Sequence, residues 1–146
     1  MKFKLIIDPT AEEHIVATVH EPSALTEKIQ QLVQEYTGAD RIAAFIEDDI
    51  KMLPFSQIVC ITVQDSKTYA VDTKGIRYRI KQRLYELEPV LSTSFIRINK
   101  SAIANEQHIE RFAATFSGAV DAVFRGGYRE YVSRRCFAQI KRRYRL

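Results

Sequence analysis

The chain has 146 residues, 46% of them hydrophobic and 27% charged, a balance that suits one core-forming domain with a short appendage and excludes a disordered or fibrous polymer. Its apolar runs, such as Ile58-Val59-Cys60-Ile61, fall far short of the roughly 20 residues a membrane helix needs, and Met1-Lys2-Phe3-Lys4 lacks a signal peptide's apolar stretch, so a cytoplasmic protein is expected. The net charge of +4 hides an asymmetry: 4 Lys/Arg against 7 Asp/Glu in residues 1–46, 7 against 7 in 47–94, and 11 against 4 in 95–146, which places a polyanion-binding surface near the C-terminus.

Residues 2–8, Lys-Phe-Lys-Leu-Ile-Ile-Asp, predict a strand stopped at Asp8-Pro9, because proline removes a ladder donor and constrains the residue before it. Residues 14–20, His-Ile-Val-Ala-Thr-Val-His, form a second β-branched run. Ser23 offers an N-cap for a helix through about Tyr36, with Glu27 near its positive end. Leu25, Ile29, Leu32, Val33 and Tyr36 recur at helical spacing, and Gly38 supplies a stop. Residues 1–40 therefore predict a small β-β-α unit.

From Arg41 onward short strands are expected at 41–47, 50–53, 58–64, 69–73, 76–80, 95–99, 109–116, 119–125 and 128–132. Turn formers separate them: Glu47-Asp48-Asp49, Asp65-Ser66, Lys74-Gly75, Ser117-Gly118 and Gly126-Gly127. One helical stretch, about 80–87, ends before Pro89. The pattern predicts a mainly β, sandwich-like domain with few helices over residues 41–146. The chain closes with a helix capped by Ser133. Cys136, Phe137, Ile140 and Tyr144 share one side of it, Arg135, Gln139 and Arg142 the other, with Arg134, Lys141 and Arg145 beside them. The aromatics Phe95, Phe112, Phe116, Phe124 and Phe137 are expected in the core, because binders of single strands expose such rings.

Little in the sequence points to catalysis. The three histidines, His14, His20 and His108, have no metal-ligand spacing, and His108 lacks a neighbouring nucleophile and carboxylate. No phosphate-binding glycine loop, paired-carboxylate motif or cofactor fingerprint is present, so neither an enzyme, a cofactor, a metal nor a small-molecule substrate is expected. Cys60 and Cys136 are expected as buried, reduced thiols; Arg134-Arg135 beside Cys136 would favour a thiolate, which leaves a redox-sensing thiol as the alternative.

Three segments carry a family resemblance. Phe95-Ile96-Arg97-Ile98-Asn99-Lys100-Ser101-Ala102-Ile103-Ala104-Asn105 is similar to a strand of the form Phe-x-Arg-x-His-Arg-Ser followed by a small apolar stretch and Asn. A hairpin follows, with Phe116, Gly118, Val123 and Gly126-Gly127 in matching positions. Val132-Ser133-Arg134-Arg135 then resembles a Val-Ser-Arg-Arg start to a closing helix. Upstream, the Ile58–Val63 run, the Asp65–Lys67 loop and Leu84-Tyr85-Glu86-Leu87 also fit. Over residues 41–146 the chain resembles the LytTR DNA-binding domain of bacterial response regulators.

The resemblance implies an elongated β fold whose loops enter successive major grooves of double-stranded DNA, and hence a transcriptional regulator. It assigns Lys67 to the first reading loop, Asn99, Lys100 and Ser101 to the second, and Arg134 and Arg135 to the third, with Arg135 on a base and Arg134 on the backbone. The family often has His then Arg where this chain has Asn99-Lys100, so its base preference is expected to differ. Residue chemistry agrees: Arg offers a two-donor fork to guanine, Asn suits the adenine edge, and Lys and Ser suit phosphates. Arg97 is expected in a structural ion pair, and Asn105 and Ser133 as turn and capping residues. The family's usual receiver domain does not fit into residues 1–40, whose β-β-α unit is expected to mediate dimerisation or regulation. A homodimer on repeated half-sites is anticipated, and by resemblance a membrane-protein regulatory partner. The rival is a basic-faced protein-interaction scaffold; RNA binding is disfavoured because no aromatic-rich RNA motif is visible.

Overall fold

The computed structural model describes residues 1–37 and 40–146. Helix α1 (Ala24–Thr37) follows an extended N-terminal segment, and the β1–β2 hairpin (Arg41–Ile46, Asp49–Pro54) comes next. Strands β3 (Ile58–Gln64), β4 (Lys67–Asp72) and β5 (Arg77–Ile80) precede the single-turn helix α2 (Leu84–Leu87). Strands β6 (Phe95–Asn99), β7 (Ala102–Asn105), β8 (Ile109–Ala114), β9 (Val120–Phe124) and β10 (Arg129–Val132) lead into α3 (Arg134–Tyr144). Seven strands form one sheet in the order β2-β1-β5-β4-β3-β7-β6, and three form a second, β10-β9-β8. All these pairings are antiparallel; six join consecutive strands through short turns, and β1–β5 and β3–β7 join strands distant in the chain. The mainly β architecture is the one expected.

Each face of the large sheet buries its own core. On one face Ile42, Leu53, Ile61, Ile80 and Ile103 pack with Leu84 and Leu87 of α2. On the other, Cys60, Val71, Ala102 and Ala104 meet Phe124 and Val132 of the small sheet and Ile140 of α3. Small residues on this face let the second sheet and the helix approach closely. The second core matters most for function, because it fixes α3 against the ends of β6 and β10.

Several expectations change. Residues 2–8 and 14–20 form no strand among the described residues; their apolar side chains lie exposed with no ladder to join. Strand β7 was not anticipated: its four residues are all buried, so it lacks the polar alternation of a half-exposed strand. Helix α2 is shorter than the predicted 80–87, because Ile80 still pairs with Thr68 in the sheet. Phe124 is fully buried as expected, but Phe116 stands fully exposed. It lies past the last β8–β9 pair, Ala114 with Val120, in a turn closed by Gly118 N–H donating to the Thr115 carbonyl at 3.0 Å. No strand covers it there. The helix stop assigned to Gly38 lies outside the described residues.

Candidate nucleic-acid interface

Two residues make the tight turn between β3 and β4. Asp65 and Ser66 both take positive φ, 52° and 61°, the conformation a two-residue hairpin with right-handed twist requires. The turn presents Lys67, exposed and paired in register with Gln64. Arg77 of β5 donates to Gln64 Oε1 at 2.6 Å, so a second guanidinium lies near this tip.

The β6–β7 turn sits beside it. Val63 N–H donates to the Ser101 carbonyl at 2.8 Å, tying the turn to the end of β3. Lys100 projects into solvent, and Ser101 is half-buried. Asn99 is 5% exposed. Its Nδ2 donates to the Tyr131 carbonyl at 2.6 Å, and its Oδ1 accepts from Ser101 N–H at 2.7 Å. Asn99, expected on a base, has both ends of its amide engaged inside the protein, where they brace the turn against β10. Arg97 behaves as expected, pairing with Glu88 at 2.7 Å and donating to the Lys100 carbonyl at 3.2 Å.

The third element is anchored to the same place. Ser133 N–H donates to the Ile98 carbonyl at 2.8 Å, and its hydroxyl accepts from Cys136 N–H at 3.2 Å as the cap of α3. Arg134 and Arg135 occupy the first turn, both exposed. Neither side chain has a hydrogen bond or ion pair with another described residue. The N-terminal end of a helix carries unsatisfied N–H groups and partial positive charge, so cationic side chains there add to a surface already favourable to phosphate. Farther along, α3 is fixed by Glu106, which accepts from Arg143 and from the Tyr144 hydroxyl, each at 2.7 Å. Partial burial and this acidic partner push the Tyr144 phenol up to about 12.

A chain of backbone and amide contacts (Val63 to Ser101, Asn99 to Tyr131, Ile98 to Ser133) thus gathers Lys67, Lys100, Ser101, Arg134 and Arg135 at one end of the two sheets. The β8–β9 tip carrying Phe116 points the same way, since Ala114, Val120 and Val132 are successive partners across the small sheet. The sequence of residues 48–145 matches the LytTr DNA-binding domain family, a span of more than half the chain.

The chain belongs to the LytTR DNA-binding family. Uncharacterised HTH-type transcriptional regulators of Staphylococcus aureus, among them those of strains NCTC 8325 and COL, are 28% identical over 146 residues, covering 98% of this chain and 97% of their own. A LytTr DNA-binding domain from Bacillus cereus shares the fold, with a TM-score of 0.67 at 24% identity, over 73% of this chain and 98% of its own. Residues 48–145 thus form a DNA-binding domain of this family.

The remaining groups suit a LytTR framework role. Asn105 caps a turn as expected: its side chain accepts from Gln107 N–H and donates to the Phe55 and Ile58 carbonyls at 3.3 and 3.0 Å. Both cysteines are free. Burial pushes the Cys60 thiol well up, Glu130 adds to the shift, and Arg77 opposes it, so Cys60 is a core residue and not a nucleophile. Among the described residues no helix is long and apolar enough to cross a membrane.

Proposed function

We propose that this LytTR protein recognises specific duplex sequences through one cationic end, and that two copies occupy repeated half-sites in the cytoplasm. The observation that carries the proposal is the convergence of three separate chain segments there, each presenting exposed cations held by a hydrogen-bonded backbone. Lys67 and Lys100 suit phosphates as point charges, with Ser101 as a neutral donor. Arg134, level with the helix terminus, suits the backbone. Arg135 suits a guanine edge, whose O6 and N7 accept a two-donor fork. Asn99 acts indirectly, by positioning Lys100 and Ser101.

Titration of duplexes at several salt concentrations tests these roles separately. Lys100→Ala is expected to weaken all sequences alike and lower the log–log salt slope by about 1. Arg135→Ala is expected to weaken a preferred duplex by about 1–3 kcal/mol while relaxing discrimination at one base step. Equal, sequence-independent losses from both substitutions would reduce the interaction to charge alone.

A further inference from the structure

Residues 2–36 carry a strand-and-helix pattern most of whose apolar side chains are exposed. Phe3, Leu5 and Ile7 share one face, opposite Lys2, Lys4, Ile6 and Asp8, and Ile15, Ala17 and Val19 share one face, opposite His14, Val16, Thr18 and His20, so each run alternates except at one apolar residue, Ile6 or Val16. This is the period of strands with one buried face. Among the described residues neither run has a ladder partner, and Phe3 and Ile7 are 90% and 84% exposed. Helix α1 shows the same mismatch. Its Glu27, Gln30 and Gln31 line a crevice of about 310 Å³ together with Phe55, Ser56, Ser92 and Ser94. Leu25, Leu32 and Tyr36 instead face outward, Tyr36 at 85% exposure. Units of this size need a disulfide, a metal or oligomerisation to stay folded, and both cysteines lie elsewhere in the chain.

We propose that residues 2–36 are the contact surface between two copies of this chain, which close there into a two-fold, four-stranded sheet covered by both α1 helices. The inference supplies the contact for the two-copy binding proposed above and does not depend on DNA recognition. Register argues for a second copy as the occupant. Folding back at residues 9–13 sets Ile7 against Ile15, Leu5 against Ala17 and Phe3 against Val19, all on one face. Asp8 prepares that bend, since its Oδ1 accepts from Thr10 N–H at 3.0 Å and from the Thr10 hydroxyl at 2.8 Å. Those bonds also hold its carboxyl below the usual range and ionised.

Across the dyad, antiparallel pairing of residues 2–8 with their own copy centres on Leu5. It sets Phe3 against Ile7, and Lys2 of each copy against Asp8 of the other. Such self-complementarity is what an isologous interface demands. Ten large apolar side chains of this segment are 40–90% exposed. Eight of them, all but Ile6 and Val16, belong to the sheet face and helix that the proposed closure covers, on the order of 1,000 Å² of exposed surface per copy, shared between the fold of the unit and the contact across the dyad.

Sedimentation of the full chain at micromolar concentration, with two variants at the dyad and one control, tests the proposal. The wild-type chain is expected to be a dimer. Leu5→Lys brings two ammonium groups together in an apolar sheet and is expected to raise the dimer Kd by on the order of 100-fold. Leu5→Cys is expected to cross-link into a covalent dimer under mild oxidation, whereas Thr18→Cys, on an outer strand, is not. A monomeric wild type, including one that assembles only with another protein, would overturn the proposal. So would a Leu5→Lys dimer of wild-type strength, or equal cross-linking at residues 5 and 18. Binding to a single half-site should survive Leu5→Lys, so failure of DNA recognition would appear in every variant and is separable from failure of the dimer.

Discussion

Asn99 illustrates how one buried side chain can hold an exposed turn in place. Removing its amide in Asn99→Ala leaves the Tyr131 carbonyl and Ser101 N–H without partners at a site that is 5% exposed. The expected loss is about 1–3 kcal/mol of stability by urea denaturation, from buried polar groups left unsatisfied. A variant as stable as the wild type would remove Asn99 from the framework. From sequence alone the residue reads as an adenine contact, because its chemistry suits one; only the position of β10 beneath the turn shows that both ends of the amide are already used. Tyr144 gives a pH signature. Its folded-state value, about 12, lies above the ordinary value of 10, so its neutral form is favoured by folding. That contribution is fully present below pH 10 and fades as pH rises from 10 towards 12. Tyr144→Phe should remove the corresponding slope from thermal unfolding measured across that window.

The elements were legible where the local chemistry is strong. Ser133 before an amphipathic run gave α3 and its cap, and the paired turn formers gave most of the hairpins. Ser133→Ala should cost about 1 kcal/mol in denaturant unfolding, because Cys136 N–H then lacks its acceptor. The Gly126-Gly127 turn is equally demanding: Gly126 has φ +95°, and a Cβ there would meet the Thr73 carbonyl at 3.3 Å. What escaped the sequence is a matter of tertiary cover. Strand β7 is buried throughout and shows no alternation to detect, and Phe116 looks like core until its turn carries it past the last strand pair. Phe116→Ser should therefore change stability by less than about 0.5 kcal/mol, as for other surface positions; a loss typical of a core phenylalanine would place the ring inside.

At the scale of the whole molecule, two cores divide the labour. One stiffens the large sheet, and the other locks α3 and the small sheet to it, so that three chain segments meet at one cationic end. The charge gradient along the sequence shows that half of the cations lie in residues 95–146. It did not show that Lys67, from the evenly balanced middle of the chain, joins Lys100, Arg134 and Arg135; that follows from β3 pairing with β7. Helix α1 lies toward the opposite end of the large sheet, where Glu27 and Gln30 share a crevice with Ser56, Ser94 and Asn105. Selection of bound duplexes from a random library, run in parallel with wild type and Arg135→Ala, tests sequence reading most directly. The wild type should enrich a defined consensus, and Arg135→Ala should lose preference at one base step while keeping the rest. A featureless wild-type pool, or a consensus unchanged by Arg135→Ala, would contradict base reading at this end of the fold.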